Sequence, residues 1–425
     1  MSHFRERWLS SNLLSELKWS PAVGIFGLRQ VGKTTLVESI VKRLNGAYET
    51  LDREITLHAS REAPMEFCTR KGLLCVDEAQ KGPWIFSVIK EMIGTRRRAG
   101  RFLLTGSVRF TAKKEIRESL TGRILLHELL PFSMAEASHE KPASFLRRAF
   151  ESIEGSPAER SERHREGGVR AFLEKMAGER WAATEGDIVR ALERGGLPVP
   201  CFARNREART RWFEAYFETM LARDVVLIDP RLARLSLRQS QAFLQALALH
   251  QGREISLPDV IGQSSLRPLD AKRLLESLEV LALIDRVPPE QRGKKSVRST
   301  RLEWKDAGLW SAALGITPGP PTEQAMRLLL SQELRSQLHQ MHPAPVWTFY
   351  RSRDGAQIPW IFRRGMASVA LTYLPTEVPE PYDYRALKRF LDTEKQAIGF
   401  VIGSRKAPIT AIRDRVWLVP YSLVF

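Results

Sequence analysis

One stretch constrains this chain more than any other: Gly27-Leu28-Arg29-Gln30-Val31-Gly32-Lys33-Thr34, continued by Thr35. It satisfies G-x-x-x-x-G-K-[ST] at every fixed position. The residues before it, 22–26, are short and apolar like a buried strand, and residues 35–44 place apolar side chains at helical spacing. In a strand, glycine turn and helix, the backbone N–H groups of residues 27 to 35 can converge on phosphate oxygens. Gly27 and Gly32 permit the curl, and the helix N-terminus adds partial positive charge. Lys33 is then placed to bridge β- and γ-phosphates, and the Thr34 hydroxyl to bind Mg²⁺.

A phosphate loop hydrolyses nothing without acids. Residues 72–76 are an apolar run that ends in Asp77-Glu78. Asp77 suits the Mg²⁺ shell, and Glu78 suits polarisation of the attacking water. A further apolar run at 101–104 ends in Thr105-Gly106-Ser107, where Ser107 can sense a γ-phosphate or position water. Another, 124–128, follows Arg123. Arg123 reads equally as a γ-phosphate sensor, in its own subunit or a neighbour's, and as a surface arginine capping a strand.

At 425 residues, two to four domains are expected. Strands near 22–27, 47–52, 72–77, 101–106 and 123–128 alternate with helical patterns, the rhythm of a parallel sheet covered on both faces. The strand between the phosphate loop and the Asp-Glu pair argues for an additional-strand ATPase core rather than a simple kinase. No stretch approaches the apolar length of a membrane span, and the charged N-terminus lacks a signal-peptide core. The expectation is a soluble cytoplasmic protein with no membrane partner. Cys68, Cys75 and Cys201 show no metal spacing. A net charge of +17 favours polyanions, nucleic acid first, or a generally solvated basic surface.

After Pro131 the sheet rhythm stops. Residues 141–235 read as a helical connector, with a solvated charged run at 158–165. Helical patterns at 237–250, 257–261 and 269–281, then strands at 283–287 and 300–304, predict a winged helix. Its basic loop carries Arg292, Lys294, Lys295 and Arg298, suited to a phosphate backbone. Arg267, Lys272 and Arg273 fall where a reading helix would meet DNA. A winged helix packed only against protein fits the same pattern. The expected division is 1–140 ATPase core, 141–235 connector, 236–315 winged helix and 316–425 a terminal α+β domain.

The pieces GLRQVGKTTL, LLCVDEAQK, GRFLLTGS and ESLTGRILLHELLPFSMAEA resemble a widespread group of prokaryotic AAA-like P-loop ATPases. GGLP (195–198), RWFEAYFETMLARDV (211–225) and WKDAGL (304–309) resemble that group's C-terminal domain of unknown function. The resemblance implies ATP and Mg²⁺ at Lys33, Thr34, Asp77 and Glu78, with Arg123 matching a glycine-arginine element. It also implies a nuclease-like C-terminal region, whose acids and lysine are here replaced by Gln357, Pro359, Ala370 and Thr372. The expectation is an Mg²⁺-dependent ATPase that drives winged-helix and inactive nuclease-like modules on or near DNA. The alternative is a nucleotide-gated scaffold that assembles with a protein partner or with itself.

Overall fold

The computed structural model describes residues 5–107, 122–141, 144–154, 162–179, 183–291, 299–316, 319–352 and 354–425. These form two compact units. The first combines residues 1–132, 196–235 and 272–284, and the second residues 133–195, 236–271 and 285–425.

The first unit is built on five parallel strands: β1 (Ala22–Phe26), β2 (Ala47–Thr50), β3 (Leu74–Asp77), β4 (Phe102–Gly106) and β5 (Leu125–Glu128). They lie in the order β2-β3-β4-β1-β5, each pair parallel. The strand that separates the phosphate-loop strand from the Asp77 strand in space is therefore β4, whereas β2, which intervenes in sequence, takes the edge. β1, β3 and β4 are buried along their whole length, as expected of parallel strands covered on both faces. One apolar cluster joins Leu74, Val76, Phe102 and Leu104 to Ile85, Phe86 and Ile89 of helix Trp84–Thr95. Cys68 and Cys75 are buried free thiols, and burial raises both pKa values.

Residues 237 to 304 carry, in order, helices Leu237–Leu249, Leu257–Ser264 and Pro268–Val280 and a two-stranded sheet, β6 (Ile284–Val287) with β7 (Arg301–Trp304). A further antiparallel bridge joins Glu254 to Arg301. The basic loop with Arg292, Lys294, Lys295 and Arg298 lies outside the described residues.

The second unit holds a six-stranded sheet made of β8 (Val346–Arg351), β9 (Gln357–Arg364), β10 (Ala367–Tyr373), β11 (Ala397–Gly403), β12 (Thr410–Arg413) and β13 (Val416–Pro420), in the order β12-β13-β11-β10-β9-β8. Helix Arg385–Thr393 covers one face through Leu387 and Phe390, which share an apolar cluster with Ile361, Ala370 and Val401. On helix Phe145–Glu154, Phe145 meets Phe400 edge to face at 4.9 Å. Trp360 donates to Ser331 of helix Glu323–Leu338 at 2.9 Å. Pro359 is buried in an interior strand, where it cannot donate to the ladder. It is tolerated because the β8–β9 register slips there, between Thr348 and Tyr350.

The glycines of GGLP and WKDAGL have a packing reason within this unit. Gly195 has φ +65°, and a Cβ on it would lie 2.3 Å from Asp306 Oδ1. A Cβ on Gly308 would lie 2.7 Å from the Gly195 nitrogen.

Candidate nucleotide site

The C-terminal ends of β1, β3 and β4 bring the site together. β1 stops at Phe26, and Gly27 turns away with φ +150°, where a Cβ would lie 2.4 Å from the Leu129 carbonyl oxygen. Only glycine fits that approach. Leu28 and Val31 are buried, Arg29 is half-buried and Gln30 is exposed with φ +59°. Gly32 caps helix Lys33–Arg43 in a left-handed conformation, φ +99°. The Thr34 and Thr35 side chains at the helix start are exposed.

Lys33 is buried, and its ammonium donates to the carbonyls of Gly27 at 3.0 Å and Leu28 at 2.8 Å. Burial pushes its pKa down to about 8, against the pull of Glu78 and Asp77. A desolvated cation at the start of a helix that follows a glycine turn is chemistry for an anion.

Asp77 ends β3 and is buried. Its Oδ2 accepts from the Thr34 hydroxyl and the Tyr48 hydroxyl, each at 2.8 Å. Its Oδ1 accepts from the Thr105 hydroxyl and from the Glu78 backbone N–H, the latter at 3.1 Å. The next residue, Glu78, sits at φ +54°, uncommon for a side chain with Cβ, and this turns it out of the strand. The Glu78 carboxylate accepts from Gln80 Nε2 and from the Ser107 hydroxyl at 3.4 Å, and Gln80 Nε2 also reaches Ser107 at 3.3 Å. A hydroxyl and a carboxylate in direct contact, beside a buried ammonium, are hard oxygen donors of the type Mg²⁺ takes. The residues present therefore fit a magnesium nucleotide.

Sequence reasoning missed five participants. Gln80 braces Glu78 and Ser107. Tyr48 and Thr105 hold Asp77. Arg7 donates to the Val31 carbonyl at 3.0 Å and to that of Leu130, and lies over the Phe132 ring. Asp224 takes the Arg29 guanidinium at 2.9 Å. Gln80, Thr105 and Asp224 lie within LLCVDEAQK, GRFLLTGS and RWFEAYFETMLARDV, whereas Arg7 and Tyr48 carry no local signal of their role.

Arg123, expected as a γ-phosphate sensor or a surface arginine capping a strand, lies just before β5. β5 runs parallel to β1 with Leu125 opposite Val23, so Arg123 enters at the end of the sheet where β1 begins. The phosphate loop leaves from the opposite, C-terminal end of β1. Six residues, roughly 20 Å of extended chain, separate Arg123 from Leu129 beside Gly27.

Of the helix residues expected at DNA, Arg267 and Lys272 are exposed. Arg273 is half-buried and faces Asp229 at 3.8 Å. Position 370 is a fully buried alanine in the apolar cluster of the second unit, and Thr372 is buried beside it on β10. Gln357 begins β9, half-buried. No helix among the described residues is long and apolar enough to cross a membrane.

Residues 20–138 match the model of an AAA domain, and residues 185–319 match a domain of unknown function (DUF8612). The first match covers the parallel sheet and both acidic and phosphate-loop motifs. The second covers the three segments named above as resembling such a domain. Uncharacterized proteins of Mycobacterium tuberculosis and Mycobacterium bovis are each 26% identical over 356 residues, 82% of this chain and 69% of theirs. Among solved structures, the Walker-type ATPase of Pyrococcus abyssi is 15% identical with a TM-score of 0.37, over 73% of this chain and 96% of that one. A signal transduction ATPase with numerous domains and a tetratricopeptide repeat sensor, from Pyrococcus horikoshii, is 10% identical with a TM-score of 0.22, over 80% of this chain and 48% of its own. The AAA match and the parallel sheet together show a P-loop AAA-like domain in an α/β fold.

Proposed function

We propose that the chain is a magnesium-dependent ATP hydrolase. The observation that carries this reading is the contact of Thr34 with Asp77 at 2.8 Å beside the buried Lys33 ammonium. Lys33 and the loop N–H groups would hold the phosphates, Thr34 would hold Mg²⁺ with Asp77 orienting the metal's shell, and Glu78, steadied by Gln80 and Ser107, would orient and deprotonate the attacking water. The bound Mg²⁺ neutralises phosphate charge and polarises the phosphoryl oxygens.

The test uses the full chain. Lys33→Ala should abolish tight ATP–Mg²⁺ binding. Glu78→Gln should bind ATP with near wild-type affinity and lose turnover by at least about 100-fold. Wild-type turnover in Glu78→Gln would reject the role given to that carboxylate.

A second reading, a nucleotide-gated scaffold with slow turnover, is favoured by the double engagement of Glu78 with Gln80 and Ser107, which occupies the base. Assembly with a protein partner or a second copy belongs to this reading, and Arg123 can serve a neighbour's γ-phosphate only in such an assembly. Action on DNA is supported by the +17 charge and the exposed Arg267 and Lys272. An inactive nuclease-like region is supported by Ala370 and Pro359, which are packed as apolar positions.

A further inference from the structure

We propose that Tyr48 is a positioning residue for Mg²⁺–nucleotide capture, acting through Asp77. The inference rests on the reading of the site as magnesium- and ATP-dependent, and assigns a role to a residue outside the phosphate-loop and acidic motifs.

Tyr48 lies on the edge strand β2, paired with Cys75, while Thr50 pairs with Asp77. Tyr48 is thus two residues back along the ladder from the partner of Asp77, on the same face, and a long aromatic side chain spans that diagonal. Its hydroxyl donates to Asp77 Oδ2 at 2.8 Å. The Thr34 hydroxyl donates to the same oxygen at 2.8 Å, and Thr105 and the Glu78 N–H occupy Oδ1. Four donors fill the carboxylate's acceptor sites. Buried carboxylates keep one orientation only while their hydrogen bonds persist.

The Thr34 hydroxyl has lone pairs to offer Mg²⁺ while its proton stays directed at Asp77 Oδ2, so the aim of that oxygen sets the aim of the hydroxyl. Tyr48 shares Oδ2 with Thr34 and holds that oxygen in place toward the Thr34 hydroxyl. Loss of such an outer partner typically weakens metal affinity by about 10- to 100-fold.

The experiment compares Glu78→Gln with Tyr48→Phe/Glu78→Gln in the full chain, so that binding is read without turnover. A fluorescent ATP analogue is titrated in EDTA and then over a Mg²⁺ series, and thermal unfolding is recorded for both. Tyr48→Phe removes one oxygen and keeps the ring. The expected result is a metal-free nucleotide affinity within about twofold of the parent and a Mg²⁺ half-saturation concentration raised about tenfold. An unchanged half-saturation would overturn the proposal. So would a fall in metal-free affinity that matches the fall with metal, since that marks a merely structural role. If the parent protein binds no nucleotide under either condition, the ATP reading itself fails and this inference falls with it; normal parent binding with no Tyr48 effect sinks the inference alone.

Discussion

Arg29 in the phosphate loop donates through Nη1 to both oxygens of Asp224, at 2.9 and 3.2 Å, across 195 residues of sequence. Asp224 closes a π turn, Met220–Asp224, in which the Val225 N–H reaches back to the Met220 carbonyl. A π turn inserts one extra residue and rotates the helix beyond it, and such turns concentrate at functional sites. The pair ties the loop to a helix outside the AAA match, and the Asp224 carboxylate also contributes to the electrostatic environment of Lys33. A double-mutant cycle on Arg29→Ala and Asp224→Ala, read by denaturant unfolding, should show a coupling of about 1 kcal/mol at low salt that shrinks toward zero in molar salt. Strict additivity would mean the pair contributes nothing.

Two glycines separate a site effect from a stability effect. Gly27→Ala drives a Cβ against the Leu129 carbonyl, and Gly195→Ala drives one against Asp306 at an unfavourable φ. Each should destabilise by about 2 kcal/mol or more. Only Gly27 belongs to the phosphate loop, so only Gly27→Ala should weaken nucleotide affinity in protein that remains folded. Calorimetry paired with nucleotide titration checks both, and equal affinity losses would show that fold stability alone governs binding.

The proposed action on DNA makes a salt prediction. Neutralising Arg292, Lys294, Lys295 and Arg298 together should flatten the salt dependence of DNA affinity by up to roughly four units, similarly for unrelated sequences. The structure adds a contrast between neighbours. Lys272 is exposed, whereas Arg273 already faces Asp229. Lys272→Ala should therefore reduce the slope more than Arg273→Ala. Anisotropy titrations over a salt series measure it, and identical slopes in all variants would favour a winged helix used for protein packing.

The legibility of this chain in its sequence follows interaction range. The glycine loop, the flanking strand and helix, and the strand ending at Asp77 are short-range patterns, and they stand where the periodicity places them. The partners of those residues are long-range. Nothing local at Asp224, Arg7 or Tyr48 announces Arg29, Val31 or Asp77, because the contacts are created by strand order and helix packing. Arg123 shows a different limit. Its sequence distance to the loop-facing Leu129 is small, but a strand runs one way, and six residues carry the chain to the other end of the strands. Pro359 shows a third: an interior strand that should exclude proline admits it at a register slip that no propensity reveals.

The pH dependence at Lys33 has a sign fixed by burial. Desolvation lowers its folded pKa to about 8 from the usual 10.5. Below pH 8 the lysine is charged in both the folded and the unfolded chain, and the folded state bears the full cost of burying that charge. Between pH 8 and 10.5 the folded site releases its proton while the unfolded chain keeps it, so stability rises with pH relative to a protein without this group. The unfolding free energy of the wild type minus that of Lys33→Met, without nucleotide, should increase across that window by a total on the order of 3 kcal/mol. Phosphate binding needs the ammonium, so nucleotide affinity should fall over the lower part of the same range in the wild type. A bound nucleotide restores charge to the site and should move that midpoint upward, as the phosphates favour the protonated form. Parallel pH series of urea unfolding and nucleotide titration read the two effects, and a stability difference that is flat from pH 7 to 10 would show that the Lys33 ammonium is not desolvated in the free protein.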